Sequence, residues 1–170
     1  ILSGLVGSEM CIRDSYRVDG AIIRKGEYKD FKDVECDWSA NGYRLPTELE
    51  WEVAARGGLV GKRFPWGDTI SHNEANYTGD SQYLPYDLSG GRHPKYLLDG
   101  SPVGSFAPNG YGLYDMAGNS AQWCWDWYGD YKATPNTRGA SKGPYRVMRG
   151  GEGASFSQCA SRNRPSYEFG

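Results

Sequence analysis

From Arg63 to Ser101 the chain shows almost no periodicity, and this stretch limits what it can fold into. "FPWGDTISHNEANYTGDSQYLPYDLSGGRHPKYLLDG" is Gly, Pro, Asn, Asp and Tyr throughout. It has neither the 3.6-residue spacing of an amphipathic helix nor the alternation of a half-buried strand. An irregular segment this long is uncommon in a compact domain, and is usually functional or held by a ligand such as a metal ion. The composition agrees. Glycine supplies 24 of 170 residues, about twice its usual share of roughly 7%, beside 13 Tyr and 6 Trp. Such a mixture builds short strands, ordered loops, and large rings that fill irregular gaps.

The length fits one domain with a real core. Nineteen basic and 21 acidic residues leave a formal charge of -2 with no block of one sign. That excludes a nucleic-acid stripe or a polybasic membrane patch, and no apolar run is long enough for a transmembrane helix. Cys11, Cys36, Cys124 and Cys159 are widely spaced, without a CxxC pair, so a structural zinc site is not expected. One disulfide or several buried free thiols both remain open. Residues 1–15, "ILSGLVGSEMCIRDS", lack the basic start and apolar length of a signal peptide. "VGSEMCIRDS" resembles translated adaptor sequence. We read residues 1–15 as a non-native or unstructured leader and 16–170 as the domain, truncated at its N-terminus.

Short strands are expected around 16–18 and 34–37, joined by a charged loop. The clearest helix follows. Thr47 is an N-cap with Glu50 three residues on, a capping box, and Gly57 supplies the left-handed stop. Leu49, Val53 and Ala54 share one face, the expected buried side. "SPVGSF" reads as a strand and "APNGYG" as a turn. "NSAQWCWDWY" and "YRVMRGG" read as strands, and "TPNTRGASKGP" as a surface loop.

"GYRLPTELEWEVAARGG", "FPWGD", "PVGSFAPNGYGLYDMAGN", "W-x-W-DWY" and "RVMRGG" occur in this order. Together they resemble the formylglycine-generating-enzyme (sulfatase-modifying-factor) family across about residues 16–170. The resemblance implies an α+β, C-type-lectin-like fold, loop-rich with short strands and few helices. It also implies export or a periplasmic location, and a sulfatase, another protein or a peptide as partner. The family's founding activity converts a sulfatase cysteine to Cα-formylglycine with dioxygen and copper(I) held by two cysteines. Two soft thiolates suit copper(I), and the substrate thiol supplies a third.

The chain departs from that pattern after Gly151, in "EGASFSQCASRNRP". Ser155 stands where the resemblance places the first catalytic cysteine. Cys159 matches either the second or a non-catalytic cysteine near the "A-x-R" end of the loop; Ala160 and Arg162 favour the latter. Serine is no useful copper(I) ligand. "RGGEG" also replaces the usual "RGGSW", which removes an aromatic residue. A structural calcium is implied at Asp115, Gly118, Ser120 and Gln122, with Gly118 and Ser120 offering backbone carbonyls. Gln122 replaces the usual Glu, losing a charge and bidentate binding, so the site is expected to be weakened. A second calcium set begins at Asn76 and Tyr77, with no clear distal acid.

Trp123, Trp125 and Trp127 alternate onto one strand face, read first as core and second as a ligand-stacking face. Cys124 then points the other way, as a buried inert thiol, and Cys36 is read likewise. His72 and His93 are read as solvated or locally hydrogen-bonded. Glu48, Glu50 and Glu52 suit the positive helix N-terminus without an acid–base role. Asp126 has no identifiable partner. The expected function is a non-catalytic scaffold for a peptide, protein or glycan, with calcium. The alternative is an active copper-dependent oxidase making formylglycine.

Overall fold

The computed structural model describes residues 16–18, 21–22, 34–96, 100–131, 139–140, 142–151 and 153–164. The leader expected at 1–15, most of the loop expected at 134–144, and Glu152 of "RGGEG" lie outside them. The chain divides into two compact units: Ile1–Leu45 with Tyr167–Gly170, and Pro46–Ser166.

The first unit holds a three-stranded antiparallel sheet in the order β2-β1-β3. β1 is Tyr16–Val18, β2 Ala21–Ile22 and β3 Glu35–Cys36. β2 falls where the sequence suggested only charged loop, paired through Arg17↔Ile22 and Val18↔Ala21. Cys36 is only partly buried, not the enclosed thiol expected.

The second unit opens with α1, Glu48–Arg56. Its capping box forms as read: Thr47 Oγ1 accepts from Glu50 N at 3.2 Å, and Glu50 Oε2 accepts from Thr47 N at 2.8 Å. Gly57 closes the helix at φ 55°, a left-handed conformation cheap only for glycine. The buried face, however, is Glu48, Trp51 and Ala55, spaced by three and four. Leu49 and Val53 are each 53% exposed, so the expected apolar face points outward. The cause lies outside the helix, in the buried arginine described below.

The irregular segment contributes β4 (Thr78–Gly79) and β5 (Gly91–Arg92), a two-residue antiparallel pair. Its organiser is Asp87, a buried carboxylate. Asp87 accepts from the Tyr77 hydroxyl at 2.6 Å, from Ser89 N at 3.1 Å, from Gly90 N at 3.3 Å, and from Asp80 N. Burial opposes its charge, but these donors outweigh it and hold its pKa below the usual value. "SPVGSF" forms no strand; it is a turn in which Ser105 N donates to Pro102 O at 3.2 Å. Gly104 lies there at φ 75°, which a strand does not accommodate.

β6 (Gln122–Trp127) and β7 (Arg146–Arg149) pair antiparallel through Gln122↔Arg149, Trp123↔Met148 and Trp127↔Arg146, with a register shift between Trp123 and Trp127. α1 packs on this pair. One apolar cluster joins Trp51, Ala55, Cys124, Val147 and Cys159; a second joins Phe64, Ile70, Ala75, Tyr77 and Ala154. Among the described residues no helix is long and apolar enough to cross a membrane.

Candidate functional site

Arg149, at the end of β7, is fully buried. Its guanidinium reaches Glu48 Oε1 and Glu52 Oε2 of α1, each at 2.6 Å, and donates to Cys159 O. Burial opposes its charge, but Glu52 and Glu48 overcome this and raise its pKa. Glu52 is correspondingly lowered: burial raises it, but Arg56 and Arg149 outweigh that. Glu48 Oε1 also accepts from Arg162 Nε and from the Tyr131 hydroxyl at 2.9 Å. Asp126, without a visible partner in sequence, accepts from Glu48 N at 2.7 Å, and burial raises its pKa. Through the Cys159 carbonyl this network is tied to the loop that follows Gly151. Sequence reading missed it because Arg149 and Glu48 are 101 residues apart.

Cys159, in that loop, is fully buried against Trp51, Ala55, Cys124 and Val147, and burial pushes its thiol up to about 11. Cys124, on the inward side of β6, is buried likewise and pushed up to about 12. Both remain thiols at neutral pH, and neither is open to an incoming substrate thiol. Ser155 is exposed in the turn after Gly153. The expected copper ligand set does not fit: a serine replaces one thiol, and the other is enclosed and protonated. Among the described residues no three His, Cys, Asp or Glu side chains form a metal-binding group.

The structure brings the two expected calcium sets into contact. Asn119 N donates to Asn76 O at 2.6 Å. Gly118, at φ 74°, lies so close that an added Cβ would stand 2.5 Å from Asn76 O. Tyr77 turns its ring into the core. Of residues 95–99, where the second set has no clear distal acid, 97–99 lie outside the described residues. In the loop from Asp115 to Gln122 several of the candidate oxygens already accept hydrogen bonds. Asp115 O accepts from Gln122 Nε2 and Gln122 Oε1 from Trp51 Nε1, both at 2.8 Å. Asp115 Oδ2 accepts from Gly104 N at 2.9 Å, and Gly118 O from Ser120 N at 2.8 Å. Ser120 is exposed. As arranged, this set does not fit a calcium ion, which needs those oxygens turned on it at about 2.3–2.6 Å.

The tryptophan face of β6 differs from the core reading. Cys124 and Asp126 are the buried side, whereas Trp123, Trp125 and Trp127 are only partly buried. The Arg146 guanidinium stacks over Trp125 at 4.5 Å and over Trp127 at 3.8 Å. His93 is buried and locally bonded: its Nε2 lies 3.1 Å from His72 O, while Nδ1 accepts from Lys95 N at 3.1 Å and Tyr96 N at 3.3 Å.

A family model described as "Sulfatase-modifying factor enzyme 1-like domain" matches residues 24–169. The chain belongs to this family. It is 37% identical over 171 residues to "Serine/threonine-protein kinase pkn1" of Chlamydia pneumoniae, covering 90% of this chain and 25% of that protein. It is 44% identical over 118 residues to "Formylglycine-generating enzyme" of Thermomonospora curvata, covering 65% and 38%. It is 41% identical over 122 residues to "Inactive C-alpha-formylglycine-generating enzyme 2" of Bos taurus, covering 68% and 33%. The chain thus spans about a quarter to two fifths of these relatives. Among solved structures, "Treponema denticola variable protein 1" is similar with a TM-score of 0.66 and 30% identity, covering 89% of this chain and 56% of that one. The loop-rich α+β fold is that of the family.

Proposed function

We propose that this domain is a non-catalytic binding module for a peptide, protein or glycan. The observation that carries the reading is the state of its thiols. Cys159 is enclosed with its thiol pushed up to about 11, and Ser155 holds the other expected position. Copper(I) chemistry on a substrate cysteine needs accessible thiolates. Further support comes from the partly open Trp125–Arg146–Trp127 array, whose flat faces suit stacking against a sugar ring or side chain. The family includes a relative named inactive and one named as a kinase, so the fold occurs in proteins of different named activities.

The test loads the protein with copper(I) under air and offers a sulfatase-type Cys-x-Pro-x-Arg peptide, with Cys159→Ser alongside. Mass spectrometry is expected to find the cysteine unaltered. Conversion to formylglycine that disappears in Cys159→Ser would overturn the reading in favour of the copper oxidase. As the positive arm, a peptide and glycan array is expected to retain the protein and to lose about tenfold of that signal with Trp127→Ala, a loss of one stacking contact.

A further inference from the structure

We infer that Gln122 closes the loop from Asp115 to Gln122 with its carboxamide, in place of a bound cation. Three residues of this loop adopt left-handed backbone: Asp115 at φ 55°, Gly118 at 74° and Asn119 at 63°. Two of them are not glycine; Asp and Asn tolerate this region better than other side chains, but the surroundings help to hold it. Asn119 is held by Ser101 and by Asn76 O, and Gln122 holds the Asp115 end from the first residue of β6. Its Nε2 donates to Asp115 O and its Oε1 accepts from the indole Nε1 of Trp51, both at 2.8 Å. Trp51 is 2% exposed, so its N–H has no access to bulk water and needs that acceptor. One side chain therefore satisfies a buried donor and a turned-in carbonyl at once.

A glutamate at this position could not do both when ionised. One oxygen would accept from Trp51, but the other would face the Asp115 carbonyl oxygen with no hydrogen between them. Two oxygens in such contact need a bridging cation or a proton. The carboxamide N–H supplies that positive end covalently. It also disfavours a cation beside the same carbonyl, since the amide hydrogen points where the ion would sit. Two further oxygens of the loop agree: Asp115 Oδ2 accepts from Gly104 N and Gly118 O from Ser120 N. The fold of this loop is thus independent of calcium, and a single substitution would make it dependent.

The experiment compares thermal melting of the protein and of Gln122→Glu, each in chelator and in millimolar calcium. The unsubstituted protein is observed in parallel by NMR through its Trp51 indole N–H, assigned with Trp51→Phe. We expect the indole resonance of the unsubstituted protein to stay in place when calcium is added. Gln122→Glu should melt roughly 5 °C lower in chelator, as the bond to Asp115 O is lost and two oxygens are left facing each other, and recover in calcium. A calcium-induced shift of the Trp51 resonance in the unsubstituted protein would overturn the inference. So would a Gln122→Glu variant whose melting ignores calcium. The NMR arm keeps the inference testable if the variant fails to fold.

Discussion

Arg149 shows how much one residue can hold. Its guanidinium links Glu48 and Glu52 of α1 to the Cys159 carbonyl, with no exposure to solvent. Arg149→Met removes the cation and leaves two carboxylates facing a carbonyl. Urea denaturation should show a loss of about 3–5 kcal/mol, the range for breaking a buried pair from one side. A Glu48→Gln, Arg149→Met double variant should lose less than the sum of the two single variants, because the two groups face each other. None of this was legible in "RVMRGG", which shows a strand but not the charge its arginine would meet. By contrast, alternation placed Cys124 on the side of β6 opposite Trp123 and Trp125, and the structure makes that side the buried one.

At the scale of the element, α1 separates local from distant causes. Its ends were readable because capping is local: Thr47, Glu50 and Gly57 satisfy neighbouring backbone groups. Its buried face was not. Leu49 and Val53 look like core in a helical pattern, yet each is 53% exposed. Glu48 takes the inward position because Arg149 and Arg162 compensate its charge there. Leu49→Ala and Val53→Ala should each shift stability by no more than about 0.5 kcal/mol, as surface changes do. Trp51→Ala should cost about 3–5 kcal/mol in the same denaturation series. Equal losses at Leu49 and Trp51 would contradict the observed helix orientation. β6 is similar: its alternation was plain, but which side faced inward depended on what packed beneath it.

For the whole molecule, the long segment from Arg63 to Ser101 matters most, and its order comes from polar side chains rather than periodic elements. Asp87 gathers Tyr77, Asp80, Ser89 and Gly90, while His93 ties His72 to the turn at Lys95 and Tyr96. Burial lowers the pKa of His93 below its ordinary 6.5; the bond to the His72 carbonyl opposes this and the Lys95 charge adds to it, with the lowering prevailing. The folded state therefore favours neutral His93, and the unfolded chain takes up the proton first. This contribution is present above about pH 6.5 and is lost as pH falls through that value toward the lowered folded one. Melting followed from pH 7.5 to 5 should fall more steeply for the unsubstituted protein than for His93→Gln; parallel curves would remove His93 as the cause. The sequence by itself determined the family motifs, the capped helix and the two main strands, because each is written in residues a few positions apart. Only the tertiary structure decided which helix face is buried, how Asp87 orders the irregular segment, and that Gln122 meets Trp51. Those outcomes rest on charges and hydrogen-bond partners brought together from distant parts of the chain, and no local window contains both halves of such a pair.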